Sequence, residues 1–295
     1  MTPRTRPAFT LFQLLVVLAI LLILFALFMP AIVKARADAE RAKATQNLKQ
    51  MALGLHNYAS TYNNLFPPGV DDNHFSAASK LLPYMEQDNV FKQIDFKQSI
   101  DDKANAAARK MKIPTYLSKG DPIASVKDEW GATNYLFNEK VFFLNSKAKI
   151  PNSFPDGTSN TIVIGETLKG DGKTKATDMK RQYVLLKKED LKATGPNTGV
   201  KYFKDDKNIA GDRCASWMDG RFLQGTFNGR LLPNDTRPDV SCGGVSGVSA
   251  LRSFDDFVLV ALADGSARPV KNTISKTTWT YAIDPADGMP LGSDW

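Results

Sequence analysis

The chain holds two cysteines, Cys214 and Cys242, and two histidines, His56 and His74. No CxxC spacing and no Cys/His cluster occurs, so the sequence offers no structural zinc site. Nucleophilic catalysis needs a nucleophile, a base and an orienting group within reach. The sequence contains no GxSxG, no HExxH and no phosphate loop, and the expectation is a protein that is not an enzyme. Asp255-Asp256 is a carboxylate pair, but neighbouring strand residues point to opposite faces and do not make an acid–base couple. Glu166 ends an apolar run, and its plain reading is a satisfied polar residue at a strand end. Asp284, Asp287 and Asp294, spaced by Gly288 and Gly292, form an acidic C-terminal loop. Hard oxygen ligands suit calcium. The spacing matches no defined cage, so these three are a calcium candidate set against a solvated tail, and no other cofactor is expected.

These residues must be positioned by a mixed set of elements. Thr161 to Ile164 is an apolar run behind the turn composition Asp156-Gly157-Thr158-Ser159-Asn160, and reads as a buried strand. Phe257 to Ala263 reads the same way, with Asp264-Gly265 turning it into a hairpin toward Ala267 to Val270. Further strands are expected at Tyr135 to Phe137, Val141 to Leu144, Tyr183 to Leu186 and Ser216 to Met218. Thr273 to Tyr281 fits a strand or a short helix, and Ala104 to Lys112 a short helix. Lys169 to Asp178 and Lys201 to Asp212 are polar and Gly/Lys/Asp-rich, and read as long loops.

The amino terminus sets the class. From Phe9 to Val33 no charged residue occurs. As a helix this run of about 25 residues extends roughly 37 Å, enough to cross a hydrocarbon core of about 30 Å with some tilt. A secretory apolar region is shorter, about 7–15 residues, so the reading is a retained transmembrane helix. Pro30 lies inside it, which membrane helices tolerate. Beyond the apolar run, Leu48, Met51, Ala52, Leu55, Ala59 and Tyr62 recur at helical spacing. One helix from about Phe9 to Tyr62 follows, stopped by Asn63-Asn64 and Phe66-Pro67-Pro68-Gly69. Helix first and strands afterwards give an α+β fold: a long N-terminal helix, transmembrane in its first half, packed on a mainly antiparallel sheet head with long loops.

Arg6-Pro7-Ala8-Phe9-Thr10-Leu11-Phe12-Gln13-Leu14-Leu15 resembles the prepilin cleavage and methylation signal of type IV pilins and pseudopilins. The resemblance implies removal of a leader, residues 1–8, by a prepilin peptidase between Ala8 and Phe9, and methylation of the new terminus. It further implies a transmembrane helix over 9–33, its amphipathic continuation over 34–64 and an extracytoplasmic head over 65–295. Pro30 falls where many such pilins carry a kinking proline. Two positions depart from the family pattern: Ala8 stands for the usual Gly, and Gln13 for the Glu associated with assembly. Arg4 and Arg6 flank one end of the span, and Lys34, Arg36, Arg41 and Lys43 the other. Taken alone, the positive-inside rule leans against the orientation the resemblance implies.

The later blocks Leu55-His56-Asn57-Tyr58, Leu81-Leu82-Pro83-Tyr84-Met85-Glu86-Gln87, Thr133-Asn134-Tyr135, Phe154 to Glu166 and Ala263-Asp264-Gly265 resemble, in this order, a large uncharacterised family. Its members join a prepilin-type start to one extracytoplasmic domain, and close on a His, nine residues, then Asp-Gly. Phe254 occupies the position of that His. The implied function is a single-pass inner-membrane subunit, its C-terminal domain in the periplasm or at the cell surface, of a type IV pilus or type II secretion-like assembly. Other pilin-like subunits are its implied partners. The alternative is a tethered module that binds a polysaccharide, DNA or protein partner without polymerising. Export would also favour a Cys214–Cys242 disulfide, worth roughly 3–4 kcal/mol for a closed loop of about 28 residues. The net charge is +7, but the basic residues are scattered, so nucleic acid is not an expected partner in the main reading.

Overall fold

The computed structural model describes residues 11–204 and 206–295. Its helices are α1 (Leu11–Thr61), α2 (Ala77–Leu81), α3 (Asp88–Phe91), α4 (Ala106–Arg109), α5 (Thr198–Tyr202) and α6 (Lys276–Ile283). Its strands are β1 (Tyr135–Asn138), β2 (Ile162–Glu166), β3 (Tyr183–Leu186), β4 (Ile209–Ala210), β5 (Thr226–Phe227), β6 (Asp239–Cys242), β7 (Ser246–Val248), β8 (Phe257–Leu262) and β9 (Ala267–Lys271). The fold is α+β, with a five-stranded sheet in the order β5-β1-β2-β8-β9 and a four-stranded sheet in the order β4-β3-β6-β7. The pairings β1–β5 and β3–β6 are parallel, and the other five are antiparallel.

Two compact units divide the chain, Met1–Ala42 and Lys43–Trp295. In the first, α1 is exposed along its apolar length, and an 18-residue window reaches a mean hydropathy of 3.1 with none of it buried. This helix is long and apolar enough to cross a membrane. In the second unit, the rest of α1 buries Ala44, Leu48, Met51, Ala52, Leu55 and Ala59 on one stripe. Burying a Leu or Met side chain contributes about 1.5–3 kcal/mol, so this stripe holds the helix to the head without help from propensity.

The five-stranded sheet explains its own pattern. Its strands are covered on both faces, so they read as continuous apolar runs, yet successive side chains still alternate. Tyr135, Phe137, Leu259 and Ala261 join the core beside α1, while Leu136, Val258, Val260 and Leu262 join a second core with Trp279, Ala282 and Ile283 of α6. An irregularity between Ile162 and Ile164 in β2 puts Val163 and Ile164 into the same core. The expected hairpin is present, with Ala261 opposite Ala267 and Gly265 at φ +92° in the turn.

Two expected strands are absent. Val141 and Phe142 turn, because the Asn138 carbonyl accepts from both of them and the Asn138 side chain accepts from the Lys140 N–H, and of the span only Leu144 pairs, in an isolated bridge to Val70. Ser216 to Met218 bends, with the Ser216 hydroxyl accepting from the Met218 N–H. Of the two readings for Thr273 to Tyr281, the structure takes the helix, capped by the Ser275 hydroxyl on the Thr278 N–H. The segment Lys201 to Asp212, expected as loop, also holds the end of α5 and the short strand β4.

Candidate functional site

Ala8 and Phe9 lie outside the described residues. Gln13 and Pro30 both lie within α1, which runs unbroken through the proline. Its large apolar side chains are exposed along this stretch, with Phe12, Leu22 and Phe28 each more than 60% exposed. A soluble surface does not leave such a length of large apolar side chains uncovered.

In the head, the ends of β1 and β2 gather a buried polar group. Tyr135 pairs with Glu166, so Asn134 and Thr167 extend the same ladder, with the Thr167 N–H donating to the Asn134 carbonyl at 2.7 Å. Two residues on, the Lys169 ammonium reaches back to the Asn134 Oδ1 at 2.7 Å. The Asn134 Nδ2 donates to Asp121 Oδ2 and to the Thr167 carbonyl, both at 2.9 Å. Asp121 is also paired with Lys169 at 3.4 Å and with Arg181 at 2.9 Å. Side-chain exposures of 1% for Asp121, 2% for Lys169 and 7% for Arg181 place these charges inside the protein. Burial pushes the Asp121 carboxyl up, but the Arg181 hydrogen bond and the Lys169 charge outweigh it and hold it below its ordinary value. Burial draws Lys169 below its ordinary value, against the pull of Asp121. Glu166, at the end of β2, is pushed up to about 7, first by burial and then by the charges of Asp255 and Asp121, while a Ser118 hydrogen bond opposes the shift. A cavity of about 330 Å³ opens over Asp121 and Lys169, with Ser118 and Leu117 in its wall.

A second buried network joins the two sheets. Asp239 on β6 pairs with both Arg213 and Arg252, and all three side chains are fully buried. Arg213 also donates to Thr167 Oγ1 and the Ala250 carbonyl, and Arg252 to the Asp235 and Arg237 carbonyls. The Nη atoms of both guanidinium groups find acceptors here, while the Nε of each is buried without a hydrogen-bond partner.

Two cavities adjoin around the segment Gly220-Arg221-Phe222 and the turn Gly243-Gly244. One, about 350 Å³, is lined by Lys127, Trp130, Tyr183, Asp212, Asp219 and Arg221. There the Tyr183 hydroxyl donates to Asp212 at 2.7 Å, and Arg221 grips Asp219 through two nitrogens at 2.7 and 3.0 Å. Its neighbour, about 300 Å³, is mainly apolar, with Phe142, Phe143 and Phe222 beside His74 and Glu139. The Ser246 hydroxyl donates to Glu139 Oε1 at 2.5 Å, and burial raises the Glu139 carboxyl above its ordinary value. The Glu139 Oε2 and His74 Nδ1 atoms are buried without a hydrogen-bond partner.

Several expectations are corrected. Cys214 and Cys242 are free thiols in separate apolar clusters, Cys214 packed with Leu136 and Phe227, Cys242 with Val184 and Val240. Burial pushes the Cys214 thiol up to about 11, and Cys242 Sγ lies 3.2 Å from Thr194 Oγ1. Asp284, Asp287 and Asp294 do not form one ligand group. Asp284 pairs with Lys140, Asp287 accepts from the Met289 N–H, and Asp294 caps α6 through Ser275 and Thr278. Among the described residues no group of three or more His, Cys, Asp or Glu could hold a metal ion. Asp255 and Asp256 lie in the bend before β8 rather than on the strand. Phe254 is exposed, 5.3 Å from the Arg181 guanidinium.

Sequence reading missed Asp121, Lys169, Arg181, Arg213, Asp239 and Arg252. The one usable signal was continuity: Thr167 and Lys169 prolong the alternation of β2 past the apolar run. Residues 33–277 match a family model described as a protein of unknown function (DUF1559). No curated protein and no solved structure matches the chain significantly.

Proposed function

The chain belongs to the DUF1559 family, whose description assigns no activity, and we propose that it serves as a pilin-like, membrane-anchored structural subunit rather than an enzyme. The observation that carries this reading is α1. Its residues from Leu11 to Val33 are uncharged, apolar but for Gln13, and exposed, while one stripe from Ala44 to Ala59 packs into the head. A helix with one greasy, uncovered half and one docked half suits a subunit that waits in the inner membrane and then packs its free half among copies or relatives of itself. In this reading residues 1–8 are a leader, prepilin peptidase cuts between Ala8 and Phe9, and residues 65–295 form an extracytoplasmic head, in the periplasm or at the cell surface. Gln13 in place of a glutamate removes an ion pair from assembly and leaves a hydrogen bond, which suits a minor subunit. The mature protein, isolated from its native membrane, is expected to begin at a methylated Phe9 by mass spectrometry. A mature chain that keeps Met1 to Ala8 overturns the reading.

One observation favours a second reading, a tethered module that binds a polysaccharide, DNA or protein partner. The paired cavities around Arg221 bring Trp130, Tyr183, Asp219 and Arg221 to one place, a set suited to a polar ligand. Arg221→Ala would abolish such binding while leaving leader removal intact. Unchanged retention on immobilised extracellular polymer would count against this reading.

A further inference from the structure

The buried group at the ends of β1 and β2 satisfies its hydrogen bonds, but it also brings together an amine, a carboxamide and a carboxylate, each almost wholly buried. The Lys169 Nζ lies 2.7 Å from the Asn134 Oδ1. The leaving nitrogen, Nδ2 of the same amide, lies 2.9 Å from Asp121 Oδ2. That carboxylate oxygen lies 3.4 Å from Lys169 Nζ, so one oxygen touches both nitrogens between which protons must pass. We propose that Lys169 and Asn134 become joined by an isopeptide bond, formed within the folded head, with Asp121 as the catalytic proton carrier.

The step balances without a co-reactant. Lys169 gives up a proton and its Nζ lone pair attacks Cγ of Asn134. The Nζ–Cγ bond forms, the C=O electrons move onto Oδ1, and the Ser118 N–H at 3.0 Å stands ready to hold that negative oxygen. Asp121 takes the first proton from Lys169 and delivers it to Nδ2 as the Cγ–Nδ2 bond breaks; the second, shed by Nζ once the new bond has formed, passes to the freed carboxylate and leaves with the ammonia as ammonium. Overall, an ammonium and a carboxamide become a secondary amide and an ammonium ion. The cavity over Asp121 and Lys169 gives the ammonia a way out.

An amide is a poor electrophile, and the geometry supplies what compensates. The reactants are held together by the fold, which removes the entropic cost of meeting. Lys169 is anchored at both ends, since its own N–H donates to Asp121 Oδ2 at 2.8 Å. Arg181 fixes the other carboxylate oxygen at 2.9 Å. Burial lowers the ammonium's affinity for its proton, which favours the nucleophilic form. The product would tie the chain just before β1 to the chain just after β2, bracing the sheet that carries α1.

The test uses the full chain, extracted in detergent, denatured, digested and sequenced by mass spectrometry. The expected result is one branched species in which the peptide containing Asn134 is bonded to the peptide containing Lys169, lighter than their sum by one ammonia. Lys169→Arg and Asn134→Ala are each expected to lose the branched species. So is Asp121→Asn, purified as the folded species by size exclusion, and a linked Asp121→Asn chain would remove Asp121 from the step. Separate, unmodified peptides in the wild-type chain overturn the proposal. So does an ammonia deficit confined to the Asn134 peptide, which marks a succinimide. The readout does not depend on the residue at the mature amino terminus, so it stands or falls apart from the pilin reading.

Discussion

Glu166 ends β2 with its carboxyl surrounded by protein and by the charges of Asp255 and Asp121, and it titrates at about 7 instead of its ordinary 4.5. The sign follows from which state holds the proton. Below about pH 4.5 the folded and unfolded chains both hold it, and the neutral carboxyl is no burden. Between about 4.5 and 7 the unfolded chain releases it first, so stability falls as pH rises through this window. Above about 7 the full cost remains, roughly 3 kcal/mol at 1.36 kcal/mol per unit. Glu166→Gln, which keeps the Ser118 contact and cannot ionise, is expected to be more stable than the wild type by up to that amount at about pH 8. The gain should vanish below about 4.5, as read from urea midpoints across the range. Parallel curves for the two proteins would rule out Glu166 as the group responsible. The Arg213–Asp239–Arg252 network gives the opposite case, since one ionised carboxylate is held between two guanidinium groups and all three are fully buried. Asp239→Asn strands two guanidinium groups and is expected to cost about 3–5 kcal/mol in denaturant unfolding. A loss under about 1 kcal/mol would mean that the carbonyls around Arg213 and Arg252 suffice for them.

At the scale of elements, α1 is two helices in one as far as solvent is concerned. Leu48 is fully buried against the sheet, and Leu21 is 53% exposed. Leu48→Ala is expected to destabilise the head by about 2–5 kcal/mol, through lost transfer energy and the cavity left behind. Leu21→Ala should leave the unfolding midpoint of the head unchanged. Equal effects from the two substitutions would refute the division. Both halves were legible in the sequence, because a charge-free run and a stripe at helical spacing are long signals that tertiary contacts rarely override. The strands β1, β2, β3 and β8, with the hairpin to β9, were legible for a related reason: each is an apolar run closed by a turn. The other three strands of the four-stranded sheet were not. Strands β4 and β7 are two and three residues long, and β6, Asp-Val-Ser-Cys, alternates over only four residues with one large apolar side chain, too short a signal to find. The buried charges were invisible for a deeper reason. Asp121, Lys169 and Arg181 sit in polar, glycine-bearing stretches whose composition matches solvated loops, and only the closure of β1 on β2 turns them inward.

For the whole molecule, net charge and family membership leave the function open, and the uncovered helix is what narrows it. If α1 lies in lipid from Leu11 to Val33, a charge near the middle of that run must be unwelcome. By insertion scales, an arginine at the centre of a membrane helix costs about 2.5–3.5 kcal/mol. Converted at 1.4 kcal/mol per tenfold, this is a factor of roughly 60–300 in the insertion equilibrium. Leu22→Arg is therefore expected to move the protein from the membrane fraction, where it should otherwise resist alkaline extraction, into the soluble or degraded pool. Lys49→Glu, on the exposed side of the docked half, should not change its fractionation. Protease added outside intact spheroplasts settles the side: digestion of the head, with a short membrane-held remnant left, is the expected pattern. A wild-type chain released by alkaline extraction, or a Leu22→Arg chain that stays with the membrane, would mean that the exposed helix is covered by protein instead of lipid. The head would then have to be studied together with whatever covers it.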